Sequence, residues 1–198
     1  MKYCKTTTMN HSVSLVHSDC IENINELVQR EGHDVNELVF INKEICLNIE
    51  IVESKVAALE NRNRNKSMDF AIGLSNSLTN DKEILLVELK LNLQNPRNIK
   101  KEELEAKVLG SSNILSNELP NHNQYLFIFK DNFIEQARYS FRCIKPNFNS
   151  NFIPLNITQF HSKYFYFINS YGINLKLSLV LHPAMFCVRV CIFRSIIF

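Results

Sequence analysis

The chain has 198 residues, 45% of them hydrophobic and 21% charged, with a formal net charge of +2. These are the proportions of an ordinary soluble globular protein with room for a sizeable core. Four glycines in the whole chain, with neither GxGxxG nor GxxxxGK[ST], exclude the usual phosphate-cradling loops of nucleotide-binding proteins.

Residues 1–18 read as an irregular start. Asp19 is placed to cap a helix through "IENINELVQREG", with Gly32 at its end. A second helical piece, "VNELVFINKE", follows, and the alternation from Cys46 to Val52 predicts a strand. "NRNRNKS", residues 61–67, is a polar, basic loop, and "MDFAIGL" begins a short strand with Asp69 at its entrance. "SNSLTNDK" carries turn chemistry, and residues 83–91 form an apolar strand. From Ile99 to about Leu119 the apolar spacing predicts an amphipathic helix closed by Pro120. "QYLFIFKD", 124–131, is a strand bounded by Asn and Asp. "ARYSFRCI" reads as a further strand, and "TQFHSKYFYFINS" as either strand or helix. The apolar end "LSLVLHPAMFCVRVCIFRSIIF" is interrupted by His182, Pro183, Arg189 and Arg194, which argues for strands against a membrane span.

The six cysteines are scattered without a CxxC pair, and the six histidines show no HExxH spacing, so zinc has no ligand pattern. "MKYCKTTTMNHSVSL" lacks the apolar core of a signal peptide. The expected setting is a reducing cytoplasm, with free thiols. Charge is unevenly distributed. From Gln136 onward there is no acid but seven basic residues, and this third holds 13 of the 20 aromatic residues. Basic residues such as Arg138, Arg142 and Lys163 interleaved with aromatics suit a nucleic-acid backbone and stacked bases. The alternative is that the aromatics fill a core and the cations form a solvated face.

One strand raises a chemical question. "KEILLVELKLN", 82–92, is a core strand until Glu88 and Lys90 interrupt it on the face opposite Val87, Leu89 and Leu91. If 69–74 and 83–88 form a hairpin, Asp69 falls opposite Glu88. Two facing carboxylates repel unless a cation lies between them. Lys90 compensates in part, and a divalent metal would complete the balance. Mg²⁺ uses one or two carboxylates and leaves other positions to water and phosphate oxygens, an arrangement suited to phosphodiester hydrolysis.

Asp69, a strand ending in Glu88-Leu89-Lys90, the helix 99–119 and the strand 124–130 together resemble the PD-(D/E)xK, or restriction-endonuclease-like, nuclease superfamily. The resemblance covers about residues 20–130. It implies an α/β (α+β) fold: a mixed sheet with an αβββαβ core at 19–131, carrying a basic, aromatic-rich extension with extra strands at 132–198. It implies a Mg²⁺- or Mn²⁺-dependent nuclease acting on DNA or RNA, of the kind found in bacterial defence or mobile elements. Asp69 and Glu88 would be the metal ligands and Lys90 the residue that assists the attacking water. Glu26 of the first helix would complete the site, with Glu22, and less so Glu50 and Glu53, as alternatives. Met68 stands where many members have proline. Arg62, Arg64 and Lys66 of the basic loop are candidate phosphate contacts, against a plain solvated loop. Lys101 and Lys107 are expected to pair with Glu103 and Glu105 along their own helix. Nucleases of this kind often cut as homodimers. The competing reading is an inactive protein of this fold, acting as an interaction or immunity-type module with a protein partner.

Overall fold

The computed structural model describes residues 1–34, 39–40, 43–115, 118–143 and 150–166. In chain order these form β1 (Lys2–Tyr3), α1 (Lys5–Asn10), α2 (Ser12–Val16), β2 (Ile21–Asn23), α3 (Ile24–Arg30), β3 (Ile45–Asn48) and α4 (Ile49–Leu59). There follow β4 (Phe70–Ser75), β5 (Lys82–Lys90), α5 (Lys101–Leu115), β6 (Tyr125–Phe129), α6 (Ile134–Cys143), β7 (Phe152–Asn156) and α7 (Ile157–Tyr164). The strands make one mixed sheet in the order β2-β3-β4-β5-β6-β7, with β1 paired to the far half of β4. Neighbours from β2 to β5 are antiparallel; β5-β6 and β6-β7 are parallel. Each parallel step crosses over through a helix, as it must.

Both faces of the sheet are covered, so the central strands are apolar on both sides. Phe70, Ile72, Leu85, Val87, Leu89, Leu126 and Ile128 meet α3 and α7 through Ile24, Leu27 and Phe160. On the other face Ala71, Ile84, Leu86, Phe127 and Phe129 meet α4, α5 and α6 through Val52, Leu104 and Phe141. Strand alternation puts Glu88 and Lys90 in line with Ile84 and Leu86, facing the α4–α5 layer. A leucine at position 88 would contribute roughly 2 kcal/mol of burial; the strand carries a carboxylate there instead.

The mixed α+β sheet agrees with the sequence reading; several elements depart from it. Residues 1–18 are ordered, as β1, α1 and α2. Cys4 N donates to Gly73 O at 2.8 Å, and a Cβ at Gly73 would crowd Thr7 and Thr8. The strand expected over Cys46–Val52 ends at Asn48, whose side chain accepts from Ile51 N at 2.9 Å and starts α4. Asn23, not Asp19, caps α3, accepting from Asn25 N at 2.8 Å, while Asp19 pairs with Lys55. Gly32 does follow α3, with φ +99. The described part of "ARYSFRCI", residues 137–143, lies in α6, because Ile134, Ala137 and Phe141 recur at helical spacing and are buried together. "TQFHSKY" belongs to α7.

The compact unit runs from Met1 to Phe165. Hence β7 and α7, which lie beyond residue 131, are part of the same sheet and its cover. Of the second unit, Tyr166–Phe198, only Tyr166 is among the described residues. The expected C-terminal strands and the interrupted apolar stretch fall outside them, as does most of "VNELVFINKE". No helix among the described residues is long and apolar enough to cross a membrane.

Candidate active site

The hairpin register decides where the acids go. Phe70 pairs with Val87 and Ala71 with Leu86, so the next position of the same register sets Asp69 against Glu88. Asp69 lies just before β4 and is tied at both ends. Its Oδ2 accepts from Leu89 N at 2.5 Å, and its carbonyl accepts from Ile49 N at 3.0 Å. The preceding residue is fixed too: Met68 N donates to Ser111 Oγ of α5 at 2.7 Å.

Glu88 is 1% exposed. Its Oε1 accepts from Lys107 Nζ at 2.6 Å and meets Lys90 Nζ at 2.8 Å, while its Oε2 is buried with no hydrogen-bond partner. A buried carboxylate oxygen without a protein hydrogen-bond partner is costly. Burial, followed by the charge of Glu88, raises the Asp69 carboxyl to about 7; Leu89 N and Lys107 oppose the rise, and Glu31 adds to it. For Lys107 burial alone would lower the pKa. Glu88 outweighs it, helped by Asp69 and Glu50, and the ammonium is held above its ordinary value.

The structure thus brings Asp69, Glu88 and Lys90 together, and adds Lys107, which sequence reasoning assigned to a helix-surface pair. Lys101 does pair with Glu105, at 3.5 Å. Lys107 crosses to Glu88 instead, and Glu103 lies 4.0 Å from Lys90. The signal was present in the spacing. Position 107 lies three residues after Leu104 and four before Ser111, both buried, on the inward stripe of α5.

Glu26 is exposed on α3. Among the first-helix acids, the one whose charge reaches Asp69 is Glu31, one residue past α3. Glu22 pairs with Arg30 at 2.9 Å and with Asn48. Glu50, on α4, acts on Lys107 and lies 3.4 Å from Arg64. Glu53 is fully buried and accepts from Arg62 at 2.6 and 3.2 Å and from Asn65 N at 2.6 Å. Arg62 and Arg64 therefore brace the loop that delivers Asp69. Lys66 is exposed, and its carbonyl packs so close to Gly110 that a Cβ there would overlap it.

Of the later cations, Arg138 bonds to Glu135 at 2.5 Å and Gln159 at 2.9 Å, Lys163 bonds to Gln124 at 2.7 Å, and Arg142 is exposed. Seven aromatics beyond Gln136 are among the described residues, and five of them (Phe141, Phe152, Phe160, Tyr164 and Phe165) are buried. Core packing accounts for those five.

At the same ends of the strands, a cleft of about 520 Å³ is lined by Gly32, His33, Leu91, Phe129, Lys130 and Thr158, among others, and by none of Asp69, Glu88, Lys90 and Lys107. Leu91 directly follows Lys90 and Phe129 ends β6, so the cleft opens where the parallel strands terminate. Among the described residues no cluster of three or more His, Cys, Asp and Glu side chains is set to hold a metal. Two carboxylates, one with an unpaired buried oxygen, are what a hard cation such as Mg²⁺ requires from protein, the rest being water or substrate oxygens. The donor set fits. No family model, no curated protein and no solved structure matches this chain.

Proposed function

We propose that this chain is a metal-dependent phosphodiesterase of the restriction-endonuclease-like type, acting on nucleic acid. One observation carries the reading. Asp69 and Glu88 face each other across a hairpin end, with Lys90 on the same carboxylate and a buried oxygen of Glu88 left without a partner. The element order supports it: β4, β5, α5 and β6 follow one another as antiparallel hairpin, helix and parallel strand, with β3 on the other side of β4.

Asp69 and Glu88 would hold Mg²⁺ or Mn²⁺, which supplies a lowered pKa for bound water and neutralises charge on a phosphodiester. The Leu89 amide fixes which oxygen of Asp69 remains free. Lys90 is anchored on β5 two residues from Glu88. From there it is placed to orient an attacking water and to stabilise the negative charge that grows on the phosphate oxygens. Exposed Lys66 and Arg142 are candidate backbone contacts on the surface.

The test is cleavage of supercoiled plasmid and of single-stranded RNA with Mg²⁺ or Mn²⁺, by wild type and by Glu88→Ala. Cleavage by the wild type that disappears in the variant and with chelator is expected. A folded wild type that cleaves neither substrate and binds neither metal overturns the proposal. The second reading is a binding module of the same fold without chemistry. It is favoured by the double neutralisation of Glu88 by Lys90 and Lys107 and by the local engagement of Arg62 and Arg64. It predicts a protein partner and no cation binding.

A further inference from the structure

We propose that Lys107 is a built-in competitor for the cation: the Asp69–Glu88 pair is occupied by its ammonium or by the metal, and the metal enters as Lys107 withdraws. The inference rests on the pair being the metal site proposed above.

Charge balance leads to it. With both acids ionised, Asp69 and Glu88 match Lys90 and Lys107, and the buried cluster is neutral. A divalent ion added to that set would leave two positive charges in excess within a few ångströms, in an interior that screens poorly. One ammonium must leave. Geometry selects which. Lys90 shares β5 with Glu88, and its backbone is locked in the ladder opposite Phe129. Lys107 reaches in from α5, on a separate layer; exposure does not separate the two, at 19% for Lys107 and 16% for Lys90. Each lysine has a second acid nearby: Glu50 acts on the charge of Lys107, and Glu103 lies 4.0 Å from Lys90. Both ammonium groups contact the same Glu88 oxygen, Lys107 at 2.6 Å and Lys90 at 2.8 Å.

The experiment is a Mn²⁺ titration of the full chain by calorimetry, with thermal melting at each metal concentration. Wild type, Lys107→Gln, Lys90→Gln and Glu88→Gln are compared. Lys107→Gln keeps a hydrogen-bond donor and loses the charge, so Mn²⁺ should bind at least tenfold tighter than to wild type, and added Mn²⁺ should raise its melting temperature more. Lys90→Gln should change affinity less. Equal or weaker binding by folded Lys107→Gln, with binding lost in Glu88→Gln, overturns the competition and leaves the metal site standing. Absence of Mn²⁺ binding in every variant removes the metal site and this inference with it. If Lys107→Gln fails to fold, Lys107→Arg decides. Its planar fork grips Glu88 more firmly and should weaken Mn²⁺ binding at least tenfold; unchanged affinity overturns the proposal.

Discussion

The Asp69→Asn variant should remove the pH dependence that Asp69 imposes on stability. In the metal-free protein the Asp69 carboxyl is raised from 3.8 to about 7, by burial first and by Glu88 second. Between those values the folded chain keeps a proton that the unfolded chain has released. Stability therefore falls as pH rises, by up to about 1.4 kcal/mol per pH unit. The contribution is fully present below pH 4 and lost once pH passes 7. Across that window the loss amounts to about 4 kcal/mol, a large share of the ~5–15 kcal/mol that holds a typical domain together. Asparagine preserves an acceptor for Leu89 N and cannot ionise. The variant should match the wild type within about 1 kcal/mol at pH 4.5 and exceed it by about 2–4 kcal/mol at pH 8. Urea unfolding of both proteins at pH 4.5, 6 and 8, without divalent ions, measures the difference, and titrations common to both cancel. A difference that is the same at all three values would refute the reasoning, because Asp69 would then be ionised throughout with its charge already balanced.

Two further predictions concern the scaffold behind the site. Glu53→Gln removes the charge that holds Arg62 while leaving an acceptor for Asn65 N. It should cost about 1–3 kcal/mol by chemical denaturation and increase hydrogen exchange at the amides of Asn65 and Met68. Gly110→Ala puts a methyl group onto the Lys66 carbonyl. The overpacking, about 1–3 kcal/mol, exceeds the roughly 1 kcal/mol gained in helix propensity, so the melting temperature should drop; a rise would show that the 61–68 loop yields freely.

The hairpin was legible because strand periodicity and turn composition act locally. The run 83–88, the Asn-rich turn and Asp69 fix a register with a single solution once the apolar faces must coincide, and Phe70 opposite Val87 is that register. α5 and β6 were legible for the same reason. The boundaries that shifted did so where a side chain capped the backbone: Asn48 stops β3 and starts α4, and Asn23 starts α3. α6 was misjudged because "ARYSFRCI" mixes aromatic and polar residues in a way that fits either period over eight positions. Its inward stripe is visible only when Ile134 is included. The partners of the charged residues were the least legible. Arg62 finds Glu53 across nine residues and Lys107 finds Glu88 across nineteen, and no local rule pairs charges at such separations.

The distribution of those pairs bears on how the site would work. Arg62 and Arg64 are engaged with α4, which stiffens the loop leading to Asp69 instead of reaching outward. Glu88 has two ammonium groups on one oxygen and none on the other. A structural ion pair designed only for stability would satisfy both oxygens, because an unpaired buried oxygen costs about 1–3 kcal/mol and an apolar residue at position 88 would avoid that cost altogether. Retaining the acid with one oxygen free makes physical sense if something else takes that oxygen part of the time. Under the proposed function that something would be a divalent cation. A protein partner would have to insert a donor into a position buried between the sheet and α5, which a surface contact does not reach. Under the proposed function, Glu88 would exchange an internal cation for an external one instead of keeping a fixed salt bridge.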